Sequence, residues 1–286
     1  MKISGFTFIK NAIINDYPII EAITSILPVV DEMIVSVGDC EDGTRELIQS
    51  IASDKIKIYD SVWDPALREG GKVLAVETDK ALAHISSESD WAFYIQADEV
   101  VHEKYHSAII AAAEKYANDK NVEGLLFKYK HFYGVYDYVG DSRKWYRNEI
   151  RIIRNDKSIH AYRDAQGFRK ENRKLRVKLI DAYIFHYGWV KNTAKMKDKI
   201  KNLNKLWLDD ASSELRAELF DYNDFDSIKK FTGTHPSVMQ KRIREQNWNM
   251  NLDVSQKKMS LKKRALYWVE KKTGIRLFEY KNYKLM

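Results

Sequence analysis

Residues 93–100 read FYIQADEV, an apolar run that ends in two adjacent carboxylates, Asp98 and Glu99. Desolvated carboxylates are costly unless a cation, a hydrogen-bond donor or a ligand pairs with them. In open α/β sheets ligands bind in the crevice at the carboxyl ends of the strands, so an acid pair directly after a strand stands where a ligand site belongs. A lone carboxylate would repel a diphosphate. A divalent cation between the two removes that repulsion and polarises a leaving group. The plainer alternative is that the pair caps the helix beginning near His102, and spacing alone leaves the two readings even.

The elements needed to position these acids are legible upstream. KISGFTFI (2–9), MIVSV (33–37), KIKIY (55–59) and WAFYI (91–95) read as strands. Between them, helices are expected after Pro18 with Ile20, Ile23 and Leu27 on one face, after Asp42 as N-cap, and after Gly70-Gly71. This β-α-β-α alternation predicts right-handed crossovers and a mostly parallel sheet covered on both faces. After residue 100 the pattern changes. A helix is expected over 104–117 and strands over 124–133, 149–154 and 182–187; helices follow from Asn192, one with a Met196, Ile200, Leu203, Trp207 stripe and lysines opposite.

The chain has 286 residues and 44% hydrophobic residues, enough for a real core, and one cysteine, Cys40. A single cysteine excludes an intrachain disulfide framework and fits a reducing cytoplasm. No segment approaches the roughly 20 uninterrupted apolar residues of a membrane span, and the N-terminus lacks a signal-peptide pattern. The formal charge of +7 is uneven, with basic stretches at 143–178 and 255–284. The basic residues are interleaved with acids and no nucleic-acid-binding motif is present, so no nucleic-acid partner is expected.

Taken in order, FTFIKNAI, VDEMIVSVGDCEDGT and DWAFYIQADE resemble the N-terminal half of a family 2 glycosyltransferase of the GT-A fold, over about residues 3–100 with weaker echoes to about 195. The resemblance implies an α/β, GT-A-type Rossmann-like mixed sheet flanked by helices. It implies a glycosyltransferase domain over 1–190, with a nucleotide-sugar half (1–100) and an acceptor half (101–190), and a helical, basic C-terminal extension over 191–286. It further implies transfer of a sugar from a nucleotide-sugar donor to a hydroxyl acceptor (a carbohydrate, lipid-linked or envelope glycan), with inversion and a divalent metal, Mn or Mg. Asp98 matches the last acid of the family's DxD motif and would ligate the metal. Glu99 matches the acid that often follows, orienting the acceptor or a basic neighbour. Phe6, Thr7, Asn11, Asp39, Asp42, Lys72 and Gln96 fall at donor-binding positions, and Arg68 stands beside Lys72.

Two positions depart from the family pattern. Gln96 replaces the first acid; an amide can hydrogen-bond a ribose hydroxyl but brings no charge for a metal. Val37 stands where relatives carry a base-recognising aspartate, with Asp39 two residues on. Asp42 is the simple helix N-cap in its plain reading, and Lys72 a solvated surface lysine.

In the second half, IFHYGWVKN (184–192) resembles the segment of the downstream GT-A histidine, which makes His186 the second metal ligand; a hydrogen-bonded core histidine is the alternative. Inverting transfer needs a base for the acceptor hydroxyl. Asp164, in HAYRDAQGF (160–168), precedes a small flexible stretch and is the candidate, against an ion pair with Arg163 or Arg169; Glu149 and Asp181 are the reserves. Aromatics crowd 129–146, where sugar rings can stack. SLKKRALYWVEKKTGIRLF reads as a basic amphipathic helix from Ser260 to Gly274, packed on the domain or lying on the inner face of an anionic membrane as a peripheral contact. Two other classes remain open: a non-catalytic nucleotide- or carbohydrate-binding relative, motivated by Gln96 and Val37, and a nucleotidyltransferase, which would show a Gly-rich basic loop after the first strand.

Overall fold

A computed structural model describes every residue of the chain except Pro65 and Arg68 and the side chain of Glu69; Arg68, singled out above, therefore lies outside the described residues. Strands β1 (Ile3–Ile9), β2 (Glu32–Val37), β3 (Ile56–Asp60) and β4 (Trp91–Tyr94) run parallel. Helices α1 (Ile19–Ile26), α2 (Thr44–Gln49) and α3 (Lys72–Ala83) connect them. β1, β2 and β4 are buried on both faces, which is why they read as apolar runs rather than alternations. α1 buries Ile19, Ala22, Ile23 and Ile26, so its stripe starts one residue ahead of the expected one.

The chain continues through β5 (Glu99–Val101), α4 (His106–Tyr116), β6 (Gly124–Gly140), β7 (Asn148–Arg154), β8 (Ile159–Tyr162), β9 (Gly167–Lys170), β10 (Arg173–Lys174) and β11 (Arg176–Val190). Beyond it lie α5 (Thr193–Asn204), α6 (Asp210–Glu218), β12 (Ile228–Lys230), α7 (Gln240–Arg244), α8 (Leu261–Thr273) and β13 (Lys284–Leu285). The main sheet has the order β13-β11-β6-β7-β4-β1-β2-β3, with β12 against β6 and β5 against β11, and β8, β9 and β10 form a small second sheet. β7 enters antiparallel to β4, so the sheet is mixed and helix-flanked, the expected fold class.

Strand order reverses between β1 and β4, since β2 and β3 lie on one side of β1 and β4 on the other. The loops after β1 and β4 therefore diverge and leave a crevice at their carboxyl ends. β6 and β11 run much longer than the sequence indicated, at 17 and 15 residues. Interleaved lysines, arginines and acids hid their ends, and register irregularities let them bend. The extension returns to the sheet through β12 and β13. Among the described residues no helix is long and apolar enough to cross a membrane.

Candidate active site

The crevice widens into a cleft of about 1010 Å³. Its floor comes from Phe8 to Asn11 at the end of β1 and Gln96 to Asp98 after β4; its walls come from β6, β11, the β8–β9 turn and α5. Aromatic rings of Trp63, Tyr94, Tyr133, Trp145, Tyr146 and Trp189 line it.

Asp98 sits at the junction of these elements. Its backbone carbonyl accepts a hydrogen bond from the Tyr187 amide of β11, which docks the turn between β4 and β5 on that strand. β11 is irregular between His186 and Trp189, and this kink carries Gly188 against the acid. A Cβ at Gly188 would fall 2.5 Å from Asp98 Oδ2 and 2.8 Å from His186 Nε2, so only glycine leaves the space between them open. His186 Nε2 lies 3.7 Å from Asp98 Oδ1. The other oxygen, Oδ2, accepts a 2.9 Å hydrogen bond from the Lys199 ammonium, which also donates to the Gly188 carbonyl at 2.9 Å. Burial alone would raise the pKa of Asp98, but the Lys199 charge and hydrogen bond, together with His186 and Lys191, outweigh it and hold the carboxyl well below the usual carboxylate range. Burial pulls the Lys191 ammonium down to about 7, with the Lys199 charge adding to that effect.

The protonation of His186 follows from its neighbours. His131 Nε2 lies 2.8 Å from the Tyr146 carbonyl, an acceptor only, so that nitrogen carries the hydrogen. Burial keeps His131 and His186 below the usual histidine range and therefore neutral near pH 7. His131 Nδ1 is then a bare acceptor, and His186 Nδ1 donates to it across 3.2 Å. The lone pair of His186 Nε2 is left facing Asp98 and the cleft. An imidazole nitrogen and a carboxylate oxygen that converge on an open cradle suit a divalent ion with vacant positions for oxygen ligands. Among the described residues no group of three or more His, Cys, Asp or Glu that could hold a metal ion is present, so Asp98 and His186 have no third such neighbour.

Other residues expected at the site are distributed differently. Asn11 and Gln96 line the cleft; Asn11 Oδ1 accepts from the Glu41 amide at 2.8 Å, and Gln96 Nε2 donates to the Tyr94 hydroxyl at 3.4 Å. Phe6 and Thr7 do not reach it, because both are fully buried, Phe6 against Tyr94 and Phe168. Asp39 lies just outside, paired with Lys10 at 2.8 Å. Asp42 is not the N-cap of α2, a position Gly43 takes without a side-chain bond. Its carboxylate instead accepts from the Ile13 and Ile14 amides at 2.9 Å each and from Thr44, tying the loop after β1 to α2. Lys72 opens α3 on the exposed surface, apart from the cleft lining.

Glu99 points away from the cleft. Arg151 holds it in a fully buried ion pair, and the Tyr129 hydroxyl donates to it at 2.7 Å. It orients a basic neighbour rather than a ligand. Asp164 lines the cleft at the β8–β9 turn, where Arg163 and Ala165 adopt φ of 57° and 60°. Among the described residues no ion pair joins it to Arg163 or Arg169. Glu149 is buried, and burial pushes its carboxyl up to about 8; Asp181 is exposed and paired with Lys128 at 2.8 Å. Of the aromatics at 129–146, Tyr133, Trp145 and Tyr146 line the cleft, whereas Tyr129, Phe132, Tyr136 and Tyr138 pack in the interior.

Sequence reasoning missed Lys199, His131, Lys191 and Tyr17. A signal existed for Lys199: it falls at i+3 from Met196 and one residue before Ile200, on the apolar stripe rather than opposite it. Its ammonium also lies 4.7 Å from the Tyr17 ring. The register of β6 against β11 pairs His131 with His186, which only the fold reveals.

No protein-family model and no curated protein matches the sequence. Among solved structures, TarS of S. aureus is similar, with a TM-score of 0.42 and 15% identity over 74% of this chain and 41% of that one. Residues 1–349 of S. aureus TarS in complex with UDP give 0.39 and 15% over 74% and 68%. Glucosyl-3-phosphoglycerate synthase from Mycobacterium tuberculosis in complex with Mn2+ and UDP-glucose gives 0.30 and 20% over 46% and 44%. The chain thus spans 41% of the first of these proteins.

Proposed function

We propose that this chain is a glycosyltransferase that moves a sugar from a nucleotide-sugar donor to a hydroxyl of a carbohydrate or lipid-linked acceptor, with inversion at the anomeric carbon. The observation that carries the reading is that Asp98, His186, Lys199 and Asp164 share one cleft at the carboxyl ends of β1 and β4. In this reading the donor diphosphate lies over Asp98 and the acceptor enters past Tyr133, Trp145, Tyr146 and Trp189, whose faces suit sugar rings.

The Asp164 carboxylate accepts the proton of the acceptor hydroxyl as its oxygen bonds to the anomeric carbon. The bond from that carbon to the diphosphate oxygen breaks, and its electron pair leaves with the nucleoside diphosphate. Asp98 and His186 are the residues that would hold Mn or Mg. A bound divalent ion supplies Lewis-acid neutralisation of the departing diphosphate. The Glu99–Arg151 pair fixes the backbone immediately after Asp98, and in this reading the Gln96 amide hydrogen-bonds a ribose hydroxyl.

The location we assign is the cytoplasm, with α8 as a peripheral contact for the inner face of a membrane. That helix has no buried residue, and its Trp268 is 62% exposed, so its apolar face is only partly covered by the domain. The second reading, a binding relative without turnover, rests on the neutral Gln96 and on Val37, which is buried at the end of β2.

The test is thermal-shift titration with UDP-, GDP-, CMP- and dTDP-sugars, with and without Mn2+, followed by assay of nucleoside diphosphate release. Stabilisation by one nucleotide class together with release supports transfer. Stabilisation without release, with sugar acceptors present, supports the binding relative.

A further inference from the structure

The charge at the floor of the cleft is balanced before any ligand arrives. Asp98 contributes one carboxylate, and Gln96 contributes none. Lys199 reaches Asp98 Oδ2 and the Gly188 carbonyl, both at 2.9 Å, with its side chain 8% exposed. Lys191 is buried beside it and donates to the Asp16 carbonyl, 3.7 Å from the Asp16 carboxylate. A bare dication entering the Gly188 cradle therefore meets a neutralised carboxylate and a nearby ammonium, not an acid pair. A metal that arrives with a diphosphate meets a different balance, because the phosphate oxygens offer the ammonium a new partner.

Position supports the same reading. The α5 backbone carrying Lys199 is fixed by the buried Met196, whereas the lysine stem has four rotatable carbons and Lys199 is among the residues that line the cleft. A lysine with a purely structural role has no need to face the ligand space.

We propose that Lys199 is a placeholder cation: it holds Asp98 in the ligand-free site, keeps free divalent ions out, and passes to the donor diphosphate when donor and metal enter together. This inference rests on the nucleotide-sugar reading above. It makes metal binding contingent on the nucleotide, and it makes the extension, through α5, part of the donor site.

The experiment is electron paramagnetic resonance of free Mn2+ titrated with the full chain, alone and with UDP, GDP, CDP or dTDP, for the wild type and Lys199→Gln. The expected wild type binds no Mn2+ by itself and takes it up once a nucleoside diphosphate is added. Lys199→Gln is expected to bind Mn2+ alone at least about tenfold more tightly than the wild type and to lose about tenfold in nucleotide affinity. Wild-type protein that binds Mn2+ alone as tightly as with nucleotide overturns the placeholder and leaves the glycosyltransferase reading standing. So does a folded Lys199→Gln with no gain in Mn2+ binding. If that variant does not fold, the wild-type titration decides the question by itself. A wild type that binds no nucleoside diphosphate, with or without Mn2+, defeats the donor-site reading and the placeholder together.

Discussion

Arg151 grips Glu99 with two charge-assisted hydrogen bonds, Nε to Oε2 and Nη2 to Oε1, each 2.7 Å long, and neither side chain reaches solvent. The pair stands one residue beyond Asp98, at the first position of β5, and links that strand to β7. Breaking it by Glu99→Gln leaves the Arg151 charge buried without its partner, a change that costs about 3–5 kcal/mol. A fall in Tm of roughly 10 °C follows for a chain of this size. Calorimetry checks this. Wild-type stability with lost turnover would instead make Glu99 a group at the reacting atoms.

The first hundred residues were readable because β1, β2 and β4 are buried on both faces and the strands are punctuated by helix signals. The parallel order and the location of Asp98 follow from that grammar. The second half was not, because β6 and β11 carry charged residues among apolar ones and bend at irregularities no local pattern announces. The small sheet of β8 to β10 was missed for the same reason: residues 159–174 are mostly polar. Asp98 and His186 were singled out through the family resemblance and Asp164 through its loop, and what surrounds them depends on register. His131 reaches His186 only because two strands lie side by side, and Lys199 reaches Asp98 across 101 positions. Phe6 and Thr7 failed as donor contacts because position in a strand does not say which side of it is closed.

Asp164→Asn removes the proposed base without removing a charge that the proposed donor contacts need. Turnover is expected to fall by roughly 10²–10⁴ while donor affinity stays within a few fold. Steady-state kinetics and donor titration separate the two. A large loss of donor binding would contradict the assignment.

Glu149 makes stability depend on pH. Its folded carboxyl titrates near 8 because burial penalises the ionised form, and its Oε2 lacks a hydrogen-bond partner among the described residues. Between its ordinary value of 4.5 and about 8, the folded protein binds a proton that the unfolded chain has released, so stability falls as pH rises through that window. Glu149→Gln removes this slope. Its stability should exceed wild type increasingly toward pH 8, by on the order of a few kcal/mol. Urea melts at pH 5, 6.5 and 8 test the sign. A gap that does not widen with pH would refute it.

The C-terminal surface offers Leu261 at 84%, Trp268 at 62% and Phe278 at 90% exposure beside the exposed Lys262, Lys263, Arg264 and Lys272. Each lysine or arginine near an anionic bilayer contributes about 1 kcal/mol, and each inserted ring adds apolar burial. The protein should co-sediment with phosphatidylglycerol vesicles, less so in high salt, and not with phosphatidylcholine vesicles. The double substitution Trp268→Ser and Phe278→Ser is expected to weaken this binding at least about tenfold. Equal sedimentation with both lipids, or none with either, would remove α8 as the contact.

The most direct test of the account is release of nucleoside diphosphate from the stabilising nucleotide-sugar, measured for the wild type and Asp98→Asn in the presence of Mn2+. Asp98 pairs with Lys199 and converges with His186 on the open cradle at Gly188, so its charge is the one on which the proposed donor site depends. The account predicts loss of release by at least about a thousandfold, with metal-dependent donor binding weakened and the fold intact by circular dichroism. Turnover unchanged in Asp98→Asn would contradict it.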